Sequence, residues 1–267
     1  AFYGCSGLTS ITMPSSVTSI GDYAFYGCSG LASIQVASEN RKYHSDGNCL
    51  IETATKTLIL GCKNSIIPSD GSVIEIASSA FWGCTGLTSI TIPNSVTTIG
   101  GSAFQNCTGL TSVAWNAENC TSAGSYNYPI FKGCTKLATA TFGEKVKNIP
   151  SYAFFDCSWL TSVTIPSSMT SIGSYAFQYC TGLTSVTVGN SVTTIGSSAF
   201  YGCTGLTSIT IPNSVTTIGS SAFYGCTGLT SVTIGNNVTT IGVSAFRGCT
   251  GLTSVTIGNS VTTIASC

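Results

Sequence analysis

The chain has 267 residues, of which 43% are hydrophobic and 7% are charged, and its nine basic side chains balance nine acidic ones. This composition excludes a disordered polyelectrolyte, and the lack of any Lys/Arg cluster argues against a nucleic-acid partner. No apolar run reaches the roughly 18 residues that a membrane-spanning helix needs, so we expect no membrane span in this chain.

The sequence begins AFYGC, without an initiator methionine or a signal peptide. We therefore expect a processed or cropped piece of a longer protein. Most charges lie between Glu39 and Glu75 or between Glu118 and Asp156, and beyond Cys157 the one charged side chain is Arg247. The surface of that last part must be covered by Ser, Thr, Asn and Gly.

One motif recurs along the whole chain. The leucine of each (T/S)-x-L returns mostly every 23 residues, with three longer gaps of 27, 29 and 27 residues. A fixed period in this range with the form L-x-x-V-x-I is the signature of a leucine-rich repeat. The marked leucines are Leu8, Leu31, Leu58, Leu87, Leu110, Leu137, Leu160, Leu183, Leu206, Leu229 and Leu252.

Each unit reads close to LTSVTIxNSVTTIGSSAFYGCTG. Its first six residues alternate apolar with Ser or Thr, which predicts a half-buried strand. In the unit that starts at Leu206, Ser208 and Thr210 should point outward, and Gly219 and Gly225 should lie at corners. The inward side chains should be Leu206, Ile209, Ile211, Val215, Ile218, Ala222, Phe223 and Cys226.

The period, the AF-x-G-C element and the Pro-Asn or Gly-Asn turn together resemble the BspA-like family of leucine-rich repeats, found in bacterial and protist surface proteins. The resemblance covers nearly the whole chain and is carried by LTSITIPNSVTTIGSSAFYGC at 206–226 and its copies. It implies one curved solenoid of about eleven units over residues 1–267, with a parallel sheet on the concave face and short helical or extended segments on the convex face. It also implies an extracellular recognition or adhesion role without a shared catalytic site.

Two segments depart from the repeat. Residues 35–63 lack the AF-x-x-C element and predict a hairpin, with strands at 48–51 and 57–60. Residues 115–131 lengthen one unit by four residues and replace Ala-Phe with Ile130-Phe131. Insertions of this kind map to loops on one face of a solenoid, often the binding face. The candidate binding residues associated with these irregular stretches are Tyr43, His44, Tyr126, Tyr128 and Trp159.

Other aromatic residues have simpler interpretations. Trp115 stands where a strand normally has an inward Ile or Val, so we expect it in the core. The position after the AF phenylalanine also accepts Gln, Lys and Arg, which indicates the surface. Its aromatic members are Trp82, Phe155, Tyr201 and Tyr224.

Ten of the fourteen cysteines keep the repeat register and should form an interior ladder of buried thiols that act as small hydrophobic side chains. A redox or metal-binding ladder is the alternative, because free thiols in a surface protein suit a reducing habitat. Cys49, Cys62, Cys120 and Cys267 lie outside the register, and the first two flank the proposed hairpin and could form a disulfide. The ladder consists of Cys5, Cys28, Cys84, Cys107, Cys134, Cys157, Cys180, Cys203, Cys226 and Cys249.

Residues that carry chemistry are scarce. His44 is the one histidine and lies in the turn-like string YHSDG, so a nucleophile–histidine system would depend on a loop residue. A zinc site of His44 with Cys49 and Cys62 has one ligand too few and no standard spacing. We expect no enzyme activity, no metal and no cofactor.

The concave sheet should present a lattice of hydroxyl groups to an extended partner. We expect a non-enzymatic module at the cell surface or outside the cell that binds a host or matrix protein or a glycan, with irregular segments adding specificity. The hydroxyl lattice consists of Ser162, Thr164, Ser185, Thr187, Ser208, Thr210, Ser231, Thr233, Ser254 and Thr256.

Two alternatives remain open. VTTIASC at the end joins AFYGC at the beginning in repeat register, which would let copies stack head to tail into a filament. Regular threonine rows with little charge also suggest ice binding, although leucine-rich repeats curve and ice planes are flat.

Overall fold

The fold is a parallel β-solenoid of about eleven turns. The computed structural model describes residues 1–266, so Cys267 lies outside the described residues. The chain divides into two compact units, residues 1–137 (the N-terminal unit) and residues 138–267 (the C-terminal unit). The described part contains strands and turns but no helix, and therefore no helix that could span a membrane.

Each regular repeat contributes one long strand, which follows the repeat leucine. The long strands are β1 Ser10–Met13, β2 Ser33–Val36, β7 Ser89–Ile92, β9 Ser112–Trp115, β11 Thr139–Phe142, β13 Ser162–Ile165, β15 Ser185–Val188, β17 Ser208–Ile211, β19 Ser231–Ile234 and β21 Ser254–Thr256. In the N-terminal unit β1 pairs with β2 and β7 pairs with β9, and in the C-terminal unit β13 pairs with β15 and β17 pairs with β19, all in parallel.

In most repeats a two-residue strand begins nine residues after the long strand begins. These short strands pair with one another in parallel and form sheets separate from those of the long strands. The short strands are β6 Glu75–Ile76, β8 Thr98–Ile99, β10 Ser122–Ala123, β12 Asn148–Ile149, β14 Ser171–Ile172, β16 Thr194–Ile195, β18 Thr217–Ile218, β20 Thr240–Ile241 and β22 Thr263–Ile264. In the C-terminal unit the short strands form one sheet in the order β12-β14-β16-β18-β20-β22.

The core lies between the long strands, the short strands and the turn that carries Ala-Phe. All eight side chains predicted to point inward in the unit at Leu206 are buried, which confirms the alternation that the sequence indicated. Trp115 is also fully buried, as expected. Equivalent phenylalanines stack from repeat to repeat: the Phe177 and Phe200 ring centroids are 5.3 Å apart with planes 6° from parallel. Such offset stacks add to the burial of each ring.

Of the short helical or extended segments that the resemblance implied for the convex face, the helical form does not occur among the described residues. Residues 196–206 form successive turns with i to i+3 hydrogen bonds, such as Tyr201 N to Ser198 O and Cys203 N to Phe200 O. Ser198 has φ 54° and Gly202 has φ 69°. Two left-handed residues four positions apart reverse the chain within each turn and prevent a right-handed helix from forming.

Residues 35–63 contain a three-stranded antiparallel meander of β3 Tyr43–Asp46, β4 Cys49–Glu52 and β5 Thr57–Leu60. β5 then pairs in parallel with β6, so Leu58 aligns with Ile76 in the short-strand sheet. Leu58 is therefore not equivalent to the leucines that precede long strands, although its spacing suggested so.

Residues 115–131 accommodate their extra length in two places. β10 begins ten residues after the start of β9, whereas β8 begins nine residues after the start of β7. Ala123 and Phe131 are eight positions apart, whereas Ile99 and Phe104 are five. One extra residue thus precedes β10 and three follow it.

Candidate functional surfaces

The outward side chains of β13, β15, β17, β19 and β21 form a surface that we call the long-strand face. All ten predicted hydroxyl residues lie on it and are exposed. Strand register aligns them in rows, with Ser208 opposite Ser231 and Thr210 opposite Thr233. The five strands belong to two sheets, β13 and β15 to one and β17, β19 and β21 to the other, and within each sheet the same hydroxyl pair recurs about 4.8 Å from the next.

A neighbouring threonine row shows which hydroxyl groups the fold itself uses. Thr207 donates its hydroxyl to Thr184 O at 3.4 Å, and Thr230 donates to Thr207 O at 3.0 Å. Among the described residues, Ser208 and Thr210 make no comparable side-chain hydrogen bond. Their hydroxyl groups remain available to a partner as both donors and acceptors.

Part of this face is concave. Six of the ten predicted residues line one groove of about 940 Å³, and none of the groove-lining residues is charged. Asparagines close one side of it, and Asn236 N donates to Asn213 Oδ1 at 2.7 Å. The groove contains Ser185, Thr187, Ser208, Thr210, Thr233 and Thr256.

The cysteine ladder is internal in most repeats and consists of reduced thiols. The eight ladder cysteines from Cys28 to Cys226 are buried. Cys249 is half-buried, and Cys5 is exposed because, within the described residues, a repeat packs on one side of it only. The prediction of an interior position is therefore wrong for Cys5.

Ladder thiols also make hydrogen bonds. Cys180 Sγ donates to Phe154 O and Cys226 Sγ donates to Phe200 O, each at 3.2 Å. Burial raises the pKa of the Cys84 thiol to about 12 and raises the pKa of Cys180 well above its ordinary value. A buried thiol held in its protonated form is a weak nucleophile, since the thiolate is the reactive species.

The described cysteines outside the ladder, Cys49, Cys62 and Cys120, are also reduced. Cys49 and Cys62 are buried thiols and do not form the disulfide that the sequence left open. Burial raises the pKa of Cys49 to about 12 and that of Cys120 to about 11. Within residues 1–266, no three His, Cys, Asp or Glu side chains are grouped so that they could hold a metal ion.

The candidates in the irregular segments differ in exposure. Tyr43 is only 4% exposed and belongs to a hydrophobic cluster with Met13 and Leu50, so its prediction as a binding residue is wrong. The strand alternation of β3 turns Tyr43 inward. His44 is half-buried, and its Nδ1 lies 2.8 Å from Thr53 Oγ1. The exposed candidates are Tyr126, Tyr128 and Trp159, at 59%, 62% and 56%.

A second concave region arises in the N-terminal unit, where the repeat with the meander has a shortened turn. Gly61 lies three positions after Leu58, whereas in a regular repeat the phenylalanine lies five positions after the equivalent strand residue. Gly61 takes the place of that phenylalanine, because its N donates to Ala80 O as Phe81 N donates to Ala103 O. The missing Ala-Phe leaves a gap. The flanking turns meet across it, where the Tyr26 and Trp82 rings stack with centroids 3.6 Å apart.

Two adjoining cavities result, and both have Tyr23, Tyr26 and Trp82 in their walls. The inner cavity, about 370 Å³, extends to Phe25 and Leu60 below the stacked rings. The outer groove, about 560 Å³, extends over the later turns. The residues of its far side are Gly101, Ser102, Gln105, Ser125, Asn127, Tyr128 and Lys132.

Sequence reasoning found Tyr128 but missed its neighbours in this groove. Trp82 occupies the position after the AF phenylalanine, which accepts several residue types. The sequence feature that could have identified it as a site residue is its place in the repeat next to the one that lacks Ala-Phe. The same position is not uniformly on the surface, because Phe155 is 6% exposed and packs edge-on against Tyr179 with ring centroids 5.8 Å apart.

Comparison with known families and structures agrees with this architecture. The family model for the BspA type leucine-rich repeat region matches in six copies, over residues 1–57, 60–183 and 147–267. A search of curated proteins finds no match.

Three solved structures of bacterial leucine-rich repeat proteins are similar to the chain. The protein from Eubacterium ventriosum is 33% identical, with 80% of this chain and 58% of that one covered and a TM-score of 0.63. The protein from Bacteroides ovatus is 30% identical, with 100% of this chain and 63% of that one covered and a TM-score of 0.65. The protein from T. pallidum is 26% identical, with 82% of this chain and 91% of that one covered and a TM-score of 0.52. The chain thus spans about three fifths of the length of the first two proteins.

Proposed function

The chain belongs to the BspA-type leucine-rich repeat family, and from this premise we propose that it is a non-enzymatic binding module for adhesion, located at the cell surface or outside the cell. The proposal rests on the long-strand face. Its rows of exposed hydroxyl groups are free of hydrogen bonds within the described protein, and the groove they line is uncharged.

Hydroxyl groups that are already held in place lower the entropic cost of binding. The hydroxyl groups are held on strands whose inner residues, such as Ile209 and Val232, are buried, so little conformational entropy is lost when a partner binds. Hydroxyl groups donate and accept hydrogen bonds, and an extended chain of a matrix protein or a glycan offers both at regular intervals. A partner that runs across the strands can thus repeat one contact at each repeat.

A surface location is supported by membership of this family, which is found in surface proteins of bacteria and protists. The proposal of no catalysis is supported by the surroundings of the one histidine. Among the described residues, the hydrogen-bond partner of His44 is Thr53, and neither a cysteine nor a carboxylate takes that place.

The experiment is a binding screen against immobilised extracellular-matrix proteins and glycans with paired variants. Thr210→Lys with Thr233→Lys places bulk and charge in the groove, whereas Thr217→Lys with Thr240→Lys places the same change on the short strands. We expect the first pair to abolish binding to the partner found with the unchanged chain and the second pair to retain it. Equal binding by both variants would refute the placement on the long-strand face.

We propose head-to-tail assembly as a second candidate function. Val255 and Ile257 are both 46% exposed, whereas their equivalents Val232 and Ile234 are 2% and 3% exposed beneath the next repeat. A second copy, or a further repeat in a longer chain, would cover the same surface. Sedimentation of this chain from 1 to 200 µM should show concentration-dependent association that Val255→Lys abolishes, and a constant monomer would remove assembly as a function of this chain.

A further inference from the structure

We propose that the outer groove of the N-terminal unit, between Trp82 and Tyr128, binds a hexopyranose unit of a glycan. This site lies in a different unit from the long-strand groove and takes a compact ligand in place of an extended one. It therefore goes beyond the adhesion surface and can succeed or fail independently of it.

Trp82 supplies the first wall. Tyr26 is stacked on both sides, by Tyr3 at 5.0 Å and by Trp82 at 3.6 Å between ring centroids. Trp82 ends this stack, since among the described residues Tyr26 is its one ring contact, and the next residue in the row is Gln105. Trp82 and Gln105 of the next repeat both line the groove, so the indole forms part of its wall. The negative face of an aromatic ring attracts the C–H groups on one face of a pyranose.

Tyr128 supplies the second wall and is held by its backbone. Tyr128 O accepts from Ser102 N at 3.2 Å and from Ser125 N at 3.3 Å, and Tyr128 N donates to Ser125 O at 3.2 Å. The fit against Gly101 is close, because a Cβ atom there would lie 2.6 Å from Tyr128 Cβ. The backbone is thus fixed while the ring is 62% exposed beside the groove.

The polar lining matches the remaining groups of a sugar. Serines 78, 79, 102 and 125 contribute hydroxyl groups, and Gln105 and Asn127 contribute amides that donate and accept at once. The one charged side chain in the lining is Lys132. A lining of hydroxyl groups and amides between two rings complements a neutral polyol better than an anionic ligand, and 560 Å³ lies within the size range of small-ligand sites.

The test uses the full chain with four trisaccharides as probes: cellotriose, maltotriose, mannotriose and chitotriose. Saturation-transfer NMR identifies binders, and calorimetry measures their dissociation constants. We expect at least one to bind, with affinity at least tenfold weaker in Trp82→Ala and in Tyr128→Ala. The matched controls are Tyr179→Ala and Tyr224→Ala, which remove rings of the C-terminal unit outside the groove and should leave the affinity within twofold.

Circular dichroism shows whether Trp82→Ala still folds. Gln105→Leu is a second test of the site, because it keeps the ring stack and removes the amide. We expect Gln105→Leu to weaken binding about tenfold. No binding by any of the four probes, or equal loss in the control variants, would overturn the proposal. The pair Thr210→Lys with Thr233→Lys should leave saccharide binding unchanged, so failure here is distinct from failure of the adhesion surface.

Discussion

Cys203 donates its thiol to the backbone carbonyl of Phe177, 26 residues earlier, across an Sγ to O distance of 3.2 Å. The same bond recurs at Cys107, Cys180 and Cys226, always to the phenylalanine of the preceding repeat. The recurrent cysteine is therefore a packing residue that also satisfies a buried carbonyl group. Its size and its weak donor suit the interior of the turn.

Replacing Cys203 with alanine should lower the free energy of unfolding by about 1–3 kcal/mol, because the Phe177 carbonyl loses its donor inside the core. Cys203→Ser should cost less than Cys203→Ala since the hydroxyl group can still donate. Urea unfolding followed by circular dichroism measures both, with Cys5→Ala, at an exposed position, as the control. A Cys203→Ala variant as stable as Cys5→Ala would contradict this role.

Stability should fall in alkaline solution. Burial raises the pKa of Cys84 to about 12, whereas an unfolded cysteine titrates near 8.5. Below about pH 8.5 both states keep the proton and stability is constant. Between about 8.5 and 12 the unfolded state releases protons that the folded state retains, so each such thiol costs about 1.4 kcal/mol per pH unit.

Urea unfolding at pH 8, 9 and 10 in the presence of reductant checks this dependence. Cys84→Ser should remove about 1.4 kcal/mol per pH unit from the slope between pH 9 and 10. A free energy of unfolding that stays constant from pH 8 to 10 would show that the thiols are not buried as described.

The glycine before the repeat leucine permits close approach of the neighbouring backbone. A Cβ atom on Gly205 would lie 2.6 Å from Thr181 O, the atom to which Gly205 N donates at 3.1 Å. Gly205→Ala should therefore destabilise the chain by about 1–3 kcal/mol through strain. Gly7→Ala is the control, because no atom lies within 4 Å of a Cβ atom there. Equal melting temperatures for the two variants would refute the steric argument.

The phenylalanine stack should make a large contribution to stability. Phe200 is fully buried between Phe177 and Phe223, with both centroid distances 5.3 Å. Phe200→Ala should cost about 3–5 kcal/mol. Phe2 stacks on Phe25 and is 48% exposed, so Phe2→Ala should cost much less. Comparable losses at both positions, measured by urea unfolding, would contradict the stacked core.

The regular part of this fold could be predicted because its signal repeats. The alternation that turned Ile209 inward and Thr210 outward is visible in each unit, and the structure confirms the burial of Ile209. The turn could not be predicted, since the left-handed conformation falls on Ser198, a residue type with no strong preference for it. A run such as SSAFYGC is compatible with a helix until the second left-handed residue, Gly202, is seen.

The groove at Trp82 illustrates a different limit. The sequence showed that residues 35–63 lack Ala-Phe, but the consequence appears only when the turns on either side meet. Tyr26 and Trp82 are 56 positions apart in the sequence and stack directly, and no periodic pattern predicts that pair. Tyr43 failed as a prediction for the related reason that its strand, β3, was not expected and buries it.

The central claim is that an uncharged hydroxyl surface binds the partner. Its most direct test is the dissociation constant of the partner identified by the screen, measured in 0.05 M and 0.5 M NaCl for the unchanged chain and for both lysine pairs. We predict loss of binding only with Thr210→Lys and Thr233→Lys. For the unchanged chain we predict a dissociation constant that varies less than about twofold with salt, because no charges are paired. Binding that weakens steeply with salt, or that survives those two substitutions, would contradict it.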